Sequence, residues 1–282
     1  MLKYLLPSAV VLAFFLSACN LTQDVEIELP DYSSQPVVEC YLEPGKPFRV
    51  LLTRSFPFFD PVFADTNFLE KTLIQGASIT ISYDGKTETL NNIPSIDLNP
   101  LRFYNYSSFS TVEATPGIEY TLNITLPDGG QITGKTIMLP KVNIDSIVVE
   151  PGPEATDTLY RMLTYITDDL SQANFYRRLL NYSSLDSFPD QDFIVNDRLN
   201  QTASVAFGTG YELAVGDTVY NTIFHISEDY YNYIESVQLA IAGSLNPFAQ
   251  PSTIKSNVRG SANPLGIFTA LVYDRDTTII KK

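Results

Sequence analysis

One stretch of this chain matches a nucleotide-binding pattern in residue type and spacing. Residues 129–136 satisfy the phosphate-binding loop pattern, in which backbone amides cradle phosphate oxygens and a lysine, here Lys135, contacts them. That loop works only between a buried strand and the N-terminus of a helix. Residues 128–130 are instead typical of a β-turn, and Pro140 excludes a long helix after them. We therefore interpret the match as coincidental and expect no nucleotide ligand.

The other candidates for catalysis are isolated residues. Ser252 and Lys255 have the spacing of a serine nucleophile and its lysine, but the companion motifs are missing and Pro251 does not favour the helix that this motif needs. The single histidine, His225, lies in an apolar run that predicts a strand. The sequence therefore predicts no catalytic residue, no metal site and no cofactor.

Acidic residues are abundant and set the charge of the protein. The formal net charge is −14, which disfavours binding to nucleic acid. A pair of carboxylates could in principle hydrolyse a glycoside or bind calcium, although such clusters are more often solvated loops. The clustered candidates are Asp168, Asp169, Asp190, Asp192, Asp274 and Asp276.

The strongest functional signal is the beginning of the chain. Lys3 precedes an apolar run at residues 5–16 that is too short to span a bilayer as a stable helix, and two small residues then precede Cys19. This order is typical of a lipoprotein signal peptide at residues 1–18, with Cys19 as the acylated first residue. Several acyl chains, at about 0.8 kcal/mol per buried methylene, would hold the protein on a membrane. An uncleaved transmembrane anchor is the alternative.

The remaining chain predicts an all-β fold in two domains after a lipidated tether at residues 19–24. Strand-like alternation and turn signals over residues 25–140 predict an immunoglobulin-like β-sandwich, and Asp84 with Gly85 predicts a two-residue hairpin within it. Residues 141–282 predict a second antiparallel β domain. If Cys19 carries lipid, Cys40 has no disulfide partner, so burial must stabilise the fold.

One helix is predicted near residues 228–242 of the second domain. Ser227 is a good N-cap, acidic residues follow it in the first turn, and Gly243 is a good terminator. The apolar residues share one face, which favours packing against the core over a binding function.

A run of phenylalanines without strand periodicity follows the third predicted strand. It could fold back over the end of the sandwich, or it could stay exposed as a surface for a partner. The candidate partner-contact residues, which include two tyrosines from a later aromatic segment, are Phe56, Phe58, Phe59, Phe63, Tyr104 and Tyr106.

Both ends of the mature chain resemble a lipoprotein family of the Bacteroidota known only as domain of unknown function family 4249. The similar segments are residues 25–30, 36–45, 52–55 and 58–60 near the beginning, and 230–233, 246–251, 256–258 and 265–268 near the end. Cys40 departs from the family, which tends to have glycine there, and residues 259–264 are longer than the expected glycine-rich link.

The resemblance implies an outer-membrane lipoprotein that is often associated with TonB-dependent β-barrel transporters, and it brings no catalytic residues. In this phylum an aspartate followed by serine or threonine and then a small or aliphatic residue resembles an O-glycosylation site. The candidate acceptors are Ser146, Thr158, Thr218 and Thr277.

We therefore expect a non-enzymatic outer-membrane lipoprotein that assists, or presents a ligand to, a TonB-dependent transporter. Its acidic start resembles surface-export signals, which favours the cell surface over the periplasm without deciding between them. The alternatives are a glycan-binding adhesin on the surface and an envelope hydrolase that uses two carboxylates.

Overall fold

The computed structural model describes residues 33–56, 67–98, 101–154, 158–198, 202–244 and 252–282. The chain is all-β, with 54% of residues in strands and 9% in helices, which confirms the predicted fold class. Residues Ser34–Lys282 form one compact unit. Within the described residues, no helix has the length and apolar character needed to cross a membrane.

The first part of the chain forms two sheets that share a core. Two strands from near the end of the chain, β17 (Val258–Gly260) and β18 (Leu265–Ala270), join these sheets. One sheet has the strand order β18-β1-β2-β7 and the other β17-β9-β8-β3-β4. Alternating residues of both sheets fill the space between them, including Val38, Leu52, Ile81 and Leu122, all fully buried. The strands from this part of the chain are β1 (Pro36–Leu42), β2 (Pro47–Arg54), β3 (Ser78–Tyr83), β4 (Lys86–Leu90), β5 (Ser95–Leu98), β6 (Leu101–Tyr104), β7 (Tyr106–Thr111), β8 (Glu119–Thr125) and β9 (Gln131–Ile137).

The hairpin predicted at Asp84 and Gly85 is confirmed. Strands β3 and β4 pair in antiparallel register up to Tyr83 and Lys86, which leaves a two-residue loop. Both loop residues have positive φ, 43° for Asp84 and 70° for Gly85. This is the backbone of the turn whose twist matches that of the flanking strands, and it favours glycine at the second position.

The second part of the chain forms two more sheets. One has the order β10-β11-β14, with β15 also paired to β11, and the other has the order β13-β12-β16-β19. The strands are β10 (Ile144–Pro151), β11 (Leu159–Thr167), β12 (Phe175–Tyr182), β13 (Gln191–Asn196), β14 (Ser204–Gly208), β15 (Leu213–Ala214), β16 (Thr218–Ile226), β17 (Val258–Gly260), β18 (Leu265–Ala270) and β19 (Val272–Ile279).

The chain returns to the first pair of sheets near its end. Strand β18 pairs in parallel with β1, and β17 pairs with β9. Gly266 has a φ of 121°, and a Cβ there would lie 1.9 Å from the carbonyl oxygen of Val38, so only glycine fits this pairing. Residues 258–270 therefore belong to the sandwich, although they follow the boundary that the sequence predicts at residue 140.

The predicted helix is also confirmed. Besides a short helix α1 (Phe68–Thr72), the described residues contain α2 (Glu228–Ser244). The Ser227 hydroxyl accepts a hydrogen bond from the backbone N–H of Tyr230 at 3.2 Å, as an N-cap does. Tyr230 is buried against Ile267 and Phe175, so α2 packs where the two parts of the chain meet.

Candidate functional site

The structure divides the predicted partner-contact residues. Phe56 is half-buried, and Phe58, Phe59 and Phe63 lie outside the described residues. Tyr106 is fully buried, and its hydroxyl donates to the carbonyl of Ile74. Tyr104 is 2% exposed. These two tyrosines fill the inside of the fold because their strands turn them inward, so placing them on a contact surface was wrong.

The predicted lipidation residue Cys19 also lies outside the described residues. Among the predicted O-glycosylation acceptors, Ser146, Thr158 and Thr277 are exposed and Thr218 is half-buried. Side chains at the first three positions are accessible to a modifying enzyme, and their modification stays a prediction.

The phosphate-loop match and His225 lie in structural positions that do not suit nucleotide binding or catalysis. The phosphate-loop match runs through strand β9 and its turn, as expected, and not into a helix. His225 lies on β16, where its Nδ1 is 2.9 Å from the carbonyl oxygen of Pro140 and its ring stacks on Tyr176. The described residues contain no group of three or more side chains that could hold a metal ion.

The small hairpin of β5 and β6 turns its apolar side chains towards solvent. Ile96 and Leu98 lie on the same face as their partners Phe103 and Leu101, because side chains alternate along a strand. Three of these four side chains are strongly exposed: Ile96 by 60%, Leu98 by 71% and Leu101 by 68%. We call Ile96, Leu98, Leu101 and Phe103 the hairpin face.

The opposite side of this hairpin carries charged groups that bind the sandwich. The Asp97 carboxylate lies 2.8 Å from Lys46 Nζ and 2.9 Å from a guanidinium nitrogen of Arg49. Burial alone would raise the pKa of Asp97, but Lys46 and Arg49 outweigh it and hold that pKa below its usual range. Arg102 lies over the ring of Tyr41, 4.6 Å from its centroid. These polar contacts fix the hairpin and force its apolar side outward.

A pocket of about 230 Å³ lies beside the hairpin, lined by Arg102, Arg177 and Arg275. Among the described residues, Asp192 is the one acidic residue in its lining. We call this cavity the arginine pocket. Leu101 and Phe188 form part of its wall, and Phe188 is 85% exposed. The pocket therefore combines positive charge with apolar surface.

The three arginines differ in how fully they are paired. Arg177 donates two parallel hydrogen bonds to Asp192, at 2.8 and 2.6 Å, and a third to the Tyr230 hydroxyl. Burial would lower the pKa of Arg177, but Asp192 outweighs burial and raises it. Arg275 donates to the hydroxyl of Thr222 at 2.8 Å and lies over the ring of Tyr273. Both of these partners of Arg275 are uncharged.

Two larger cavities, of about 420 and 460 Å³, lie along strand β9. Lys135 lines both of them and is paired with Glu119 at 2.7 Å, so its charge is already balanced. Neither of these linings contains more than one arginine among the described residues, whereas the arginine pocket brings three together.

Two carboxyl groups come together at the other end of the second part of the chain. Asp168 follows β11 and Asp197 follows β13. Asn174 links them: its side-chain nitrogen is 3.0 Å from Asp168 Oδ1 and 3.1 Å from Asp197 Oδ2. The Tyr176 hydroxyl donates a short hydrogen bond to Asp168. We call Asp168 and Asp197 the acid pair.

The acid pair has more acceptors than donors. Asp168 Oδ2 and Asp197 Oδ1 are both buried without a hydrogen-bond partner. Burial, and next the charge of Asp197, raise the pKa of Asp168 against the opposing hydrogen bond from Tyr176. A proton held between the two carboxyl groups would give both free oxygens a partner.

The surroundings of the acid pair do not fit a hydrolase. Asp168 is 4% exposed and Asn174 is 2% exposed, so Asp168 is closed to a substrate. A cavity of about 260 Å³ is lined by Asp197 and Tyr176, but Asp168 does not line it. Glycosidases hold their two carboxyls roughly 5 Å or more apart, with room for the sugar between them. The amide of Asn174 is bound to both carboxylates, at 3.0 and 3.1 Å, so it occupies the space between Asp168 and Asp197 that a sugar would need.

The comparison with known protein families settles the relationship of this chain. The sequence profile of a family described as a domain of unknown function (DUF4249) matches residues 22–277. The chain belongs to this family. A search of the curated proteins found no match. Membership in DUF4249 confirms the resemblance seen in the sequence, and it assigns no activity to the fold described above.

Sequence reasoning missed both features that distinguish this DUF4249 chain. Period-two alternation was present at residues 95–98 and 101–104, but the usual rule puts apolar side chains inside, which is the reverse of the arrangement here. The arginine pocket joins positions 102, 177 and 275, which only the folded sheets bring together. The sequence carries no local signal for it, since Arg275 lies directly between Asp274 and Asp276.

Proposed function

We propose that the protein is a non-catalytic outer-membrane lipoprotein that docks through its hairpin face onto a β-barrel transporter of the TonB-dependent class. The observation that carries the docking is the exposed hairpin face. Exposed large apolar side chains are common singly, but a contiguous group on one rigid element marks an interaction surface. The anchor at Cys19 and the class of partner come from the sequence and from the family resemblance.

The hairpin face is suited to docking because the hairpin is held firmly from behind. Asp97 is bound by Lys46 and Arg49, and these ion pairs are mostly buried, with side-chain exposures of 30%, 10% and 17% for Lys46, Arg49 and Asp97. A rigid apolar surface loses little conformational entropy on binding, so more of its burial energy is available for association. Burying each leucine would contribute about 2 kcal/mol.

The test is recovery of partners from solubilised outer membranes by the full-length protein. The double variant Leu98→Ser and Leu101→Ser should fold normally, because both side chains are exposed, and should lose the β-barrel partner. The matched control is Val148→Ser on β10, where the replaced side chain is 40% exposed. Equal recovery by the double variant and the control would overturn the docking surface.

A surface adhesin for glycans is the second candidate, and the exposed aromatic side chain of Phe188 at the arginine pocket favours it. Aromatic rings commonly stack on sugars, but a single ring with arginines fits an anion better than a neutral glycan. A glycan array probed with the purified protein separates the two proposals, since only the adhesin predicts binding without a membrane partner.

A further inference from the structure

The arginine pocket concentrates positive charge in a protein whose formal net charge is −14. Within the described part of its lining, three guanidinium groups face a single carboxylate, that of Asp192. Asp192 binds Arg177 through both of its oxygens, so its single negative charge is already balanced by that arginine. The charge of the remaining two arginines must be balanced by other groups.

Arg102 is balanced only in part. One of its nitrogens is 3.3 Å from Glu43, and Glu43 also binds Lys46 at 2.7 Å, so its carboxylate is shared between two cations. The guanidinium of Arg102 also lies over the ring of Tyr41. A ring attracts a cation but does not neutralise it.

Arg275 contacts no carboxylate among the described residues. Its hydrogen bond goes to Thr222, and its neighbours along the strand, Asp274 and Asp276, point to the other face of β19 because side chains alternate. Asp274 there binds Lys141 and the backbone N–H of Ile144. The guanidinium of Arg275 therefore has further N–H donors and a positive charge that no carboxylate balances, and both are available to a group in the pocket.

Apolar side chains form much of the remaining wall. Leu101, Leu179 and Phe188 line the same cavity of about 230 Å³ as the arginines. A small inorganic anion would leave this surface exposed to water, whereas a ligand with an apolar part would cover it. Guanidinium groups bind carboxylates through two parallel hydrogen bonds, which adds direction to the charge attraction.

We propose that the arginine pocket binds a small organic anion, in which a carboxylate contacts Arg275 and Arg102 and an apolar group packs against Leu179 and Phe188. This inference goes beyond the proposed docking function. It depends on the charges and walls of the pocket, and it holds for the purified protein whether or not a transporter is present.

The test is calorimetric or NMR titration of the purified mature protein with 2-naphthoate, which has a carboxylate on an aromatic ring system. Its neutral amide, 2-naphthamide, and inorganic phosphate are the two reference probes. We expect naphthoate to bind at least tenfold more tightly than either. The Arg275→Gln variant should weaken naphthoate binding roughly tenfold, as expected for the loss of a charge-assisted contact. Arg275→Lys should retain part of the affinity.

The matched control is Arg259→Gln, which removes an exposed arginine on β17 that does not line this pocket. It should bind naphthoate as the unchanged protein does. Thermal unfolding of each variant checks that it is folded; β19 is an edge strand, so replacing Arg275 should leave the fold intact. If naphthamide binds as tightly as naphthoate, the carboxylate is not recognised and the anion site is overturned. If phosphate binds as tightly, the contact between an apolar group and the wall is overturned. If Arg275→Gln binds naphthoate as the unchanged protein does, the assignment to the arginine pocket is overturned.

Discussion

The two faces of strand β12 use adjacent arginines in opposite ways. The outer face carries Phe175 and Arg177, and Arg177 lines the arginine pocket. The inner face carries Tyr176 and Arg178, and Arg178 is fully buried. The guanidinium of Arg178 donates to Asn221 at 2.9 Å and to the carbonyl of Gly208 at 3.1 Å, both of them uncharged partners.

The difference lies in what balances each charge. Asp192 raises the pKa of Arg177 above its usual value, whereas burial without an acidic partner lowers the pKa of Arg178 to about 10. Arg178 therefore stays protonated at neutral pH, held by neutral acceptors in the core. The outer arginine lines the pocket with its charge already balanced by Asp192, while the inner one is a structural group that orders the layer between two sheets.

The largest effect should come from Arg178→Leu. The replacement leaves the buried side-chain oxygen of Asn221 without its donor and also removes the donor to the carbonyl of Gly208, and a buried group left without a partner costs roughly 1–3 kcal/mol. We expect the free energy of unfolding to fall by about 3 kcal/mol, measured by urea denaturation. The Arg178→Lys variant keeps the charge, so its free energy of unfolding should lie between those of the leucine variant and the unchanged protein. A leucine variant as stable as the unchanged protein would show that the inner face does not depend on these bonds.

The acid pair lies next to the same inner face, because Tyr176 donates to Asp168. Asp197→Asn would remove one charge and place an amide donor near the free oxygen of Asp168, while its own oxygen can still accept from the Asn174 backbone. We expect the free energy of unfolding at pH 7 to rise by about 1 kcal/mol. Ser171→Ala, near the exposed Asp169, is the control and should show no such gain.

The pH dependence gives a second check on the acid pair. The folded-state pKa of Asp168 is raised, so the folded protein holds a proton that the unfolded chain releases, and this group makes the protein more stable as the pH falls from neutral towards the usual carboxyl pKa. The advantage of Asp197→Asn should therefore shrink between pH 7 and pH 4. An advantage that stays constant or grows over that range would contradict the assignment.

The smallest effect on stability should come from Asp192→Asn on the outer face. Its ion pair with Arg177 is partly exposed, with side-chain exposures of 17% for Arg177 and 33% for Asp192, so we expect a loss of about 0.5 kcal/mol. The same change removes the one acid from the arginine pocket. Binding of 2-naphthoate should therefore become severalfold tighter, and unchanged binding would show that Asp192 does not compete with the ligand.

The elements that local chemistry determines could be predicted from the sequence. The hairpin at Asp84 and Gly85 follows from turn preferences, the helix beginning at Glu228 from its cap, and the strand position of His225 from its neighbours. Each of these signals lies within a few residues of the element that it predicts, so no knowledge of the tertiary fold is needed.

The sites could not be predicted because distant strands build them. Asp168 and Asp197 meet through the pairing of β12 with β13, and Arg275 reaches the pocket because β19 pairs with β16. The buried Tyr106 was placed on the surface because an aromatic run looks the same whether its strand faces the core or solvent. Orientation of this kind depends on the packing of the sheets.

Site-specific photo-crosslinking in intact cells tests the central claim most directly. A photoreactive amino acid at position 98, on the hairpin face, and one at position 148, on β10, would both be exposed to solvent but have different predicted partners. The account predicts a crosslink to a TonB-dependent β-barrel from position 98 and none from position 148. No β-barrel crosslink from position 98, or equal crosslinks from both positions, would contradict it.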